Sequence, residues 1–350
     1  MFNQIIHEDL DLIVRESQSD LERIVNSHVV LTGASGFIGT WLSLSFLHAR
    51  KALRGNGTIV LCCRNATPLL KVLADAKFKD GFEIVESDVR QFPAGVIKDE
   101  TLIIHAATPA RASLNSSNPL EMLDIIEQGQ RRLLDLCAKQ KSVRFLFLSS
   151  GAVYGQQPMN LAGFPESWNG APEVTNPENA YHEGKRVAEL MGFIYAKTFD
   201  IQFVSARLFA FLAPFLPLNE HFAAGNFIGN AIGENPITIK SGGGSIRSYQ
   251  YATDLCADIW SLLNRGENGE AYNVGSDSQI TIKQLAETIA ELVSPGLKVV
   301  IEGVDTPSNV NRYVPDISKM KKVSMRTSNL PIDIAIRRTA SYEKRLRDGS

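Results

Sequence analysis

The sequence predicts an α/β protein: a doubly wound parallel sheet with helices on both faces and a smaller C-terminal α/β lobe. Three observations predict it. Short apolar runs rich in β-branched residues recur at 28–32, 58–63, 82–85, 102–105 and 145–149. Segments of helical character separate most of them, the alternation that a parallel sheet with covered faces requires. A glycine-rich turn follows the first run directly, and helical periodicity resumes at 41–47. With 350 residues, and roughly 150 for a typical domain, about two domains are expected. The expected division is an N-terminal helical extension over 1–27, the doubly wound domain over 28–210, and a mainly substrate-binding lobe over 211–350, with some segments returning to the first domain.

The elements follow in order. Ile5, Ile6, Leu10, Ile13, Val14, Leu21, Ile24 and Val25 recur mostly at three- and four-residue spacings, so 5–25 reads as an amphipathic helix packed on the main domain. The run 28–32 is a strand, and the turn after it opens a helix. Residues 156–180 carry Pro158, Pro165, Pro172 and Pro177 with Gly163 and Gly170, which makes a long loop, and loops of that length are usually functional. A helix over 181–197 and a strand over 202–208 continue the sheet. The stretch 211–250, rich in Pro, Gly and Asn, opens the second lobe, which includes Asn273-Val274-Gly275 and a helix over 282–293. The tail, 332–347, reads as a surface helix whose Arg337, Arg338, Lys344 and Arg345 form a solvated face.

Composition excludes several classes. Thirty-six basic against 38 acidic residues give a net charge of -2, so no global positive field attracts nucleic acid or anionic lipid. Cys62, Cys63, Cys137 and Cys256 have no Cys or His at metal-ligand spacing and read as reduced core residues, so no metal is expected. The acidic N-terminus lacks the pattern of a secretory signal, and no window reaches the roughly eighteen apolar residues of a membrane span. The expected location is the cytoplasm.

Three local patterns carry chemistry. Thr32-Gly33-Ala34-Ser35-Gly36-Phe37-Ile38-Gly39 follows a strand and opens a helix, where glycines allow close backbone approach and unpaired helix N–H groups meet phosphate. This turn reads as a dinucleotide cradle. At the end of the second strand, Arg64 stands where a carboxylate would take a two-hydroxyl ribose and a cation a 2′-phosphate, pointing to NADP with NAD as the alternative. Tyr181 and Lys185 lie four apart on one helix face, so the ammonium is expected to pull the phenol down towards an acid–base range. Ser150, at a strand end in Ser149-Ser150-Gly151-Ala152-Val153-Tyr154-Gly155, can hold a reacting oxygen beside that phenol. His105, by contrast, reads as a satisfied core residue, and Phe209, Phe211 and Phe215 as packing.

These residues resemble the extended short-chain dehydrogenase/reductase family, in the NAD(P)-dependent epimerase/dehydratase branch that modifies nucleotide-activated sugars on a Rossmann fold. The resemblance spans nearly the whole chain. It implies that Gly33, Gly36 and Gly39 form the cofactor turn, that Asp88-Val89 lies at the adenine, and that Ala106 and Ala107, after His105, line the cofactor. It implies that Ser150, Tyr181 and Lys185 are the catalytic set, that Arg247 in Gly242-Gly243-Gly244-Ser245-Ile246-Arg247 clamps the substrate diphosphate, and that Asn226-Phe227 lies where relatives grip the base. Tyr272-Asn273-Val274-Gly275 and Pro315-Asp316-Ile317-Ser318-Lys319 are further family signatures, and a homodimer formed through helices beside the catalytic one is implied.

Within the branch, Thr108-Pro109-Ala110, Asn118-Pro119 and Glu183-Gly184-Lys185-Arg186 look most like the UDP-glucuronate decarboxylase group. Yet Ala152 replaces the acidic residue that those decarboxylases and the 4,6-dehydratases carry, Gly151 replaces the dehydratases' Asp, and Ala210 replaces the Asn of an Arg-x-x-Asn pattern. The remaining set supports hydride transfer at a sugar carbon with Tyr181 moving the proton, read first as reduction of a 4-keto-sugar. The alternatives are a 4-epimerase, a decarboxylase or 4,6-dehydratase with a replaced acid from His182 or Glu183, and a non-catalytic dinucleotide-binding protein.

Overall fold

The computed structural model describes residues 4–109, 112–218, 222–306, 309–326 and 329–348. From the N-terminus come α1 (Gln4–Glu16), α2 (Gln18–Ile24), β1 (His28–Thr32), α3 (Phe37–Ala52), β2 (Thr58–Cys63), α4 (Thr67–Asp75), β3 (Phe82–Glu86) and β4 (Leu102–His105). There follow α5 (Ala112–Ser117), α6 (Pro119–Cys137), β5 (Val143–Ser150), α7 (Ala180–Thr198), β6 (Ile201–Leu208), β7 (Ala210–Leu212), α8 (Ala223–Ile232), β8 (Ile237–Ile239) and β9 (Ile246–Tyr251). The chain ends with α9 (Ala252–Arg265), β10 (Glu270–Val274), β11 (Gln279–Thr281), α10 (Ile282–Val293), β12 (Val299–Ile301), β13 (Arg312–Tyr313), α11 (Ser318–Ser324) and α12 (Ile332–Asp348).

Seven parallel strands form one sheet in the order β3-β2-β1-β4-β5-β6-β10. The order reverses between β1 and β4, which opens a crevice at their carboxyl ends. Alternation along each strand feeds both faces. Val29, Leu31, Leu146 and Leu148 pack with Trp41 of α3 and Trp260 of α9, while Val30, Phe145 and Phe147 pack with Ile126 of α6 and Ala188 of α7. This is the doubly wound Rossmann architecture the alternating runs predict. A second sheet runs β11-β9-β13 with β7 also paired to β9, and β8 pairs with β12. Its core is continuous with the first: Ile228, Ile237 and Ile289 belong to the same apolar cluster as Leu31. Among the described residues no helix is long and apolar enough to cross a membrane.

Three expectations change. Asn273 and Val274, expected in the second lobe, lie in β10 and pair with Arg207 and Leu208 of β6 in the first sheet, because Tyr272 and Val274 are buried in its core. The single helix over 5–25 is two, broken at the buried Ser17, because the pair wraps over α9 and buries two acids. Asp9 accepts from the Tyr251 hydroxyl at 2.6 Å and pairs with Arg338 Nε at 2.9 Å. Asp20 accepts from Ser261 at 2.8 Å, Asn264 at 2.9 Å and Arg265 at 2.7 Å. The tail helix is likewise less solvated than its charges imply. Arg338 turns inward to Asp9, Glu8 and the Ile5 carbonyl, and Lys344 donates to the Val293 carbonyl at 2.8 Å.

The candidate active site

Thr32 ends β1, and Gly33 turns the chain with φ at +72°, a left-handed conformation that glycine adopts without strain. A Cβ there would lie 2.5 Å from the Ala106 carbonyl oxygen, and one at Gly39 would lie 2.1 Å from that of Gly33. The turn, the end of β4 and the start of α3 therefore meet backbone to backbone. Gly36 opens α3 without a side-chain cap, so the first-turn N–H groups of Phe37, Ile38 and Gly39 have no acceptor within the helix. This cradle fits a dinucleotide pyrophosphate. Arg64 stands exposed immediately after β2.

Asp88 is already engaged: its carboxylate accepts from the Arg90 backbone N–H at 2.9 Å and from Nη2 at 2.9 Å. Hydrogen bonding to Arg90 holds it below the usual carboxylate range, with Arg64 adding to the effect. Val89 packs against Gly129, and Ala107 lies against the α6–α7 face of the core. Ala106 continues β4 by donating to the Thr32 carbonyl at 3.2 Å. His105 is fully buried, shares a 2.7 Å hydrogen bond with Thr32 Oγ1, and is pushed down to about 3, first by burial and then by Lys185. Its reading as a core residue holds.

Ser150 and Tyr181 come together. The Ser150 hydroxyl at the end of β5 accepts from the Ala152 N–H at 3.1 Å and lies within hydrogen-bonding reach of the Tyr181 phenol. Tyr181, in the first turn of α7, is anchored by its own N–H on Asn115 Oδ1 at 3.0 Å. Lys185 follows one turn later, as the four-residue spacing requires. Its buried ammonium donates to the Leu148 carbonyl at 2.6 Å and to Thr108 Oγ1 at 2.9 Å, and lies 5.9 Å from the Tyr181 ring centre.

The electrostatics differ from the simple pairing of phenol and amine. Burial pulls Lys185 down to about 7 against the opposing pull of Glu189. Burial also pushes the Tyr181 phenol up, and it is the Ser150 hydrogen bond that opposes this. The expected lowering of the phenol does not appear, because desolvation outweighs an ammonium committed to two oxygens. His182 stands edge-on to Tyr181 at 5.8 Å, and Glu183 pairs with Arg186 at 3.4 Å.

The acid positions are filled otherwise. A Cβ at Gly151 would lie 2.6 Å from the Phe209 ring, so a side chain there would require that ring to move, and Ala152 offers only a methyl group. Arg207 forms a buried pair with Glu189 at 2.7 Å and donates to the Tyr154 hydroxyl at 2.9 Å, which itself donates to Asn273 at 2.7 Å. Ala210, in place of an Asn, simply begins β7.

Sequence reasoning missed Tyr313. Its hydroxyl donates to the Leu208 carbonyl at 3.4 Å, and its ring packs tilted on Phe209 at 4.6 Å. A lone tyrosine next to the Pro315-Asp316 signature gave no distinguishing signal. On β9, Arg247 is the register partner of Tyr313 and donates to the Ile246 carbonyl at 2.9 Å; burial pulls it down. Asn226 and Phe227 lie within α8 and not in a loop, and Phe227 is buried in the main core. Of the motif Thr108-Pro109-Ala110, Ala110 lies outside the described residues.

Comparison with known proteins agrees with this geometry. The pattern of the NAD dependent epimerase/dehydratase family matches residues 29–275. UDP-glucuronic acid decarboxylase 3 of Arabidopsis thaliana is 29% identical over 299 residues, covering 85% of this chain and 83% of that protein. UDP-glucuronic acid decarboxylase 1 of Xenopus tropicalis is 27% identical over 328 residues, covering 93% and 73%. Among solved structures, the UDP-N-acetylglucosamine 4-epimerase of Methanobrevibacter ruminantium superposes with a TM-score of 0.78 at 21% identity, covering 92% of this chain and 99% of that one. The dTDP-glucose 4,6-dehydratase of Streptomyces venezuelae, solved with NAD, gives 0.76 at 19% identity, covering 92% and 98%. With the glycine cradle, the switch-point crevice and the match over most of its length, this chain belongs to the NAD dependent epimerase/dehydratase family, within the extended short-chain dehydrogenases/reductases.

Proposed function

We propose that this enzyme moves hydride between a nicotinamide cofactor and a carbon of a nucleotide-diphosphate sugar, and that its net reaction is NADPH-dependent reduction of a 4-keto-sugar. One observation carries the reading: Ser150, Tyr181 and Lys185 lie together at the crevice, while the neighbouring acid positions hold Ala152 and a Gly151 packed against Phe209. A reduction needs a hydride, a proton and an aligned oxygen; decarboxylation or dehydration needs a further acid–base group, which this turn lacks.

A reduced nicotinamide, when bound in this cradle, would supply the hydride for the carbonyl carbon. Tyr181 gives its phenolic proton to the resulting oxygen, and Ser150 holds that oxygen. Lys185, fixed on Thr108 and Leu148, would hold the cofactor ribose and, once charged, favour the phenolate left behind. Gly33, Ser35, Gly36, Phe37, Ile38 and Gly39 would hold the pyrophosphate, and Asp88, Val89, Ala106 and Ala107 the adenine side. Arg247 would meet the substrate diphosphate, Thr108 the sugar, and Asn226 of α8 the base, with Phe227 buried behind it. Arg64 supports NADP, because the carboxylates near it are already bonded, Asp88 to Arg90 and Glu86 to the Ala66 N–H at 2.7 Å. The relatives named above act, by their names, on UDP and dTDP sugars, which supports a nucleotide sugar here.

The test is incubation of purified enzyme with dTDP-4-keto-6-deoxyglucose and NADPH or NADH, following reduced-nicotinamide absorbance and product by NMR. Consumption of NADPH with formation of the 4-hydroxy sugar is expected. Carbon dioxide released from UDP-glucuronate, or C4 epimers interconverted without net cofactor use, would overturn the reductase in favour of those chemistries. We further propose that two copies pair through α6 and α7, on whose surface Leu120, Leu190 and Ile194 are exposed. Leu190→Glu should convert a dimer into a monomer in light-scattering measurements.

A further inference from the structure

We propose that His7, Asp11 and His48 form a binding site for a divalent transition metal of the zinc type, which staples the N-terminal helix α1 to helix α3. Among the described residues this is the one group of three or more His, Cys, Asp or Glu side chains whose candidate ligand atoms all lie within 4.8 Å of one another. It is built in two pieces. His7 and Asp11 stand four apart on α1, so both project from one helix face. His48 comes from α3, 37 positions beyond Asp11, and only the packing of α1 on α3 brings it there. Cysteine spacing, on which the expectation of no metal rests, is blind to such a set.

The geometry suits an ion held between the three. Two imidazoles on one tetrahedral zinc, with Zn–N about 2.0 Å, place their ring centres about 5 Å apart and their ligand atoms about 3.3 Å apart. The His7 and His48 rings lie edge to face with centres 5.5 Å apart, and His48 Nε2 is 2.7 Å from Asp11 Oδ1. An ion entering there replaces that hydrogen bond and asks the pair to open by roughly half an ångström. His48 supplies a fixed point, its side chain only 12% exposed, whereas Asp11, 70% exposed, can turn to meet the metal. Donor chemistry narrows the ion. Two imidazoles and one carboxylate suit zinc and its divalent neighbours better than calcium or magnesium, which prefer oxygen shells, or copper(I), which prefers sulfur. The neighbouring acid on α1, Glu8, is already taken by Gln4 at 2.9 Å and Arg338 at 3.2 Å, so the fourth position falls to water. His48 lies eleven residues into α3 from Phe37, about 16 Å along the axis from the glycine cradle, so the site is structural and stands apart from the reaction. Because Ile6, Leu10 and Ile13 of α1 belong to the main core, an ion bound across α1 and α3 stabilises the whole fold.

The experiment is titration of the full-length protein, free of any histidine tag and stripped with a chelator, with zinc chloride by isothermal titration calorimetry, beside His7→Ala, Asp11→Ala and His48→Ala. One zinc per chain is expected, with affinity lowered at least about 10-fold in each variant, since even a residue that only supports a metal ligand is worth that much. Zinc at 100 times its dissociation constant should raise the Tm of the parent by roughly 3 to 4 °C, and that rise should vanish in His7→Ala. Cobalt(II) in its place should show the visible bands of an ion held by nitrogen and oxygen, without a thiolate charge-transfer band. No saturable zinc binding, binding unchanged in any of the three variants, a thiolate band, or binding without a rise in Tm would overturn the inference. Should His48→Ala fail to fold, the exposed His7 still provides a variant that leaves the core untouched. None of these readouts passes through turnover, so the proposed reaction can fail without touching this site, and the reverse.

Discussion

Tyr181 and His105 show how burial sets protonation in this crevice. Tyr181→Phe should lower turnover by at least about 10²-fold while leaving cofactor retention intact, checked by steady-state kinetics and by assay of the nucleotide that co-purifies. His105 is held down to about 3 against an ordinary 6.5, so between those values the unfolded chain binds a proton that the folded protein does not. Stability therefore rises with pH through that window and is lost as pH falls through it, by up to about 1.4 kcal/mol per unit. His105→Gln should shift the acid-unfolding midpoint, followed by circular dichroism, to lower pH. At this scale Gly33, Ser150, Tyr181 and Lys185 were legible because each belongs to a spacing with a mechanical meaning. Tyr313 was not, since what makes it notable, the Phe209 ring it packs on and the Leu208 carbonyl its hydroxyl reaches, lies more than a hundred positions away in the chain.

Elements were legible where their burial is one-sided or their turns are chemical. Strands β1 to β6 announce themselves as apolar runs, whereas β10, with Glu270 and Asn273 among its five residues, does not, and α10 opens with a capping box in which Thr281 and Gln284 exchange hydrogen bonds. The helix α9 escaped notice for a physical reason. Every residue from Ala252 to Leu263 is buried, because the helix lies between the sheet and the α1–α2 pair, and its polar residues face other buried groups instead of solvent, Ser261 meeting Asp20 and Asp258 meeting Arg326. Between α7 and β6, Glu189 and Arg207 form a buried pair whose partners remain bonded to Tyr154 and Ser205. Glu189→Gln leaves the guanidinium without its counter-charge and should cost about 3 kcal/mol, read as a shift in the urea midpoint at unchanged m. The expected solvated face of α12 failed similarly, since Arg338 finds its acid on α1, at the opposite end of the chain.

Across the whole molecule, the N-terminal helices act as a clamp. Asp20, almost fully buried, gathers Ser261, Asn264 and Arg265 of α9. Asp20→Ala strands Arg265 and should destabilise the fold by about 3 kcal/mol. For a chain of this size that is a fall in Tm of roughly 4 °C, measured by calorimetry. The edge strand β10 has a broader consequence. It joins the seven-stranded sheet beside β6 although it arrives only after the chain has built β7, α8, β8, β9 and α9. Grafting a foreign sugar-recognition half onto this scaffold would thus need several splice points, and a fragment stopping near residue 210 would leave β6 as a raw, sticky border inviting aggregation.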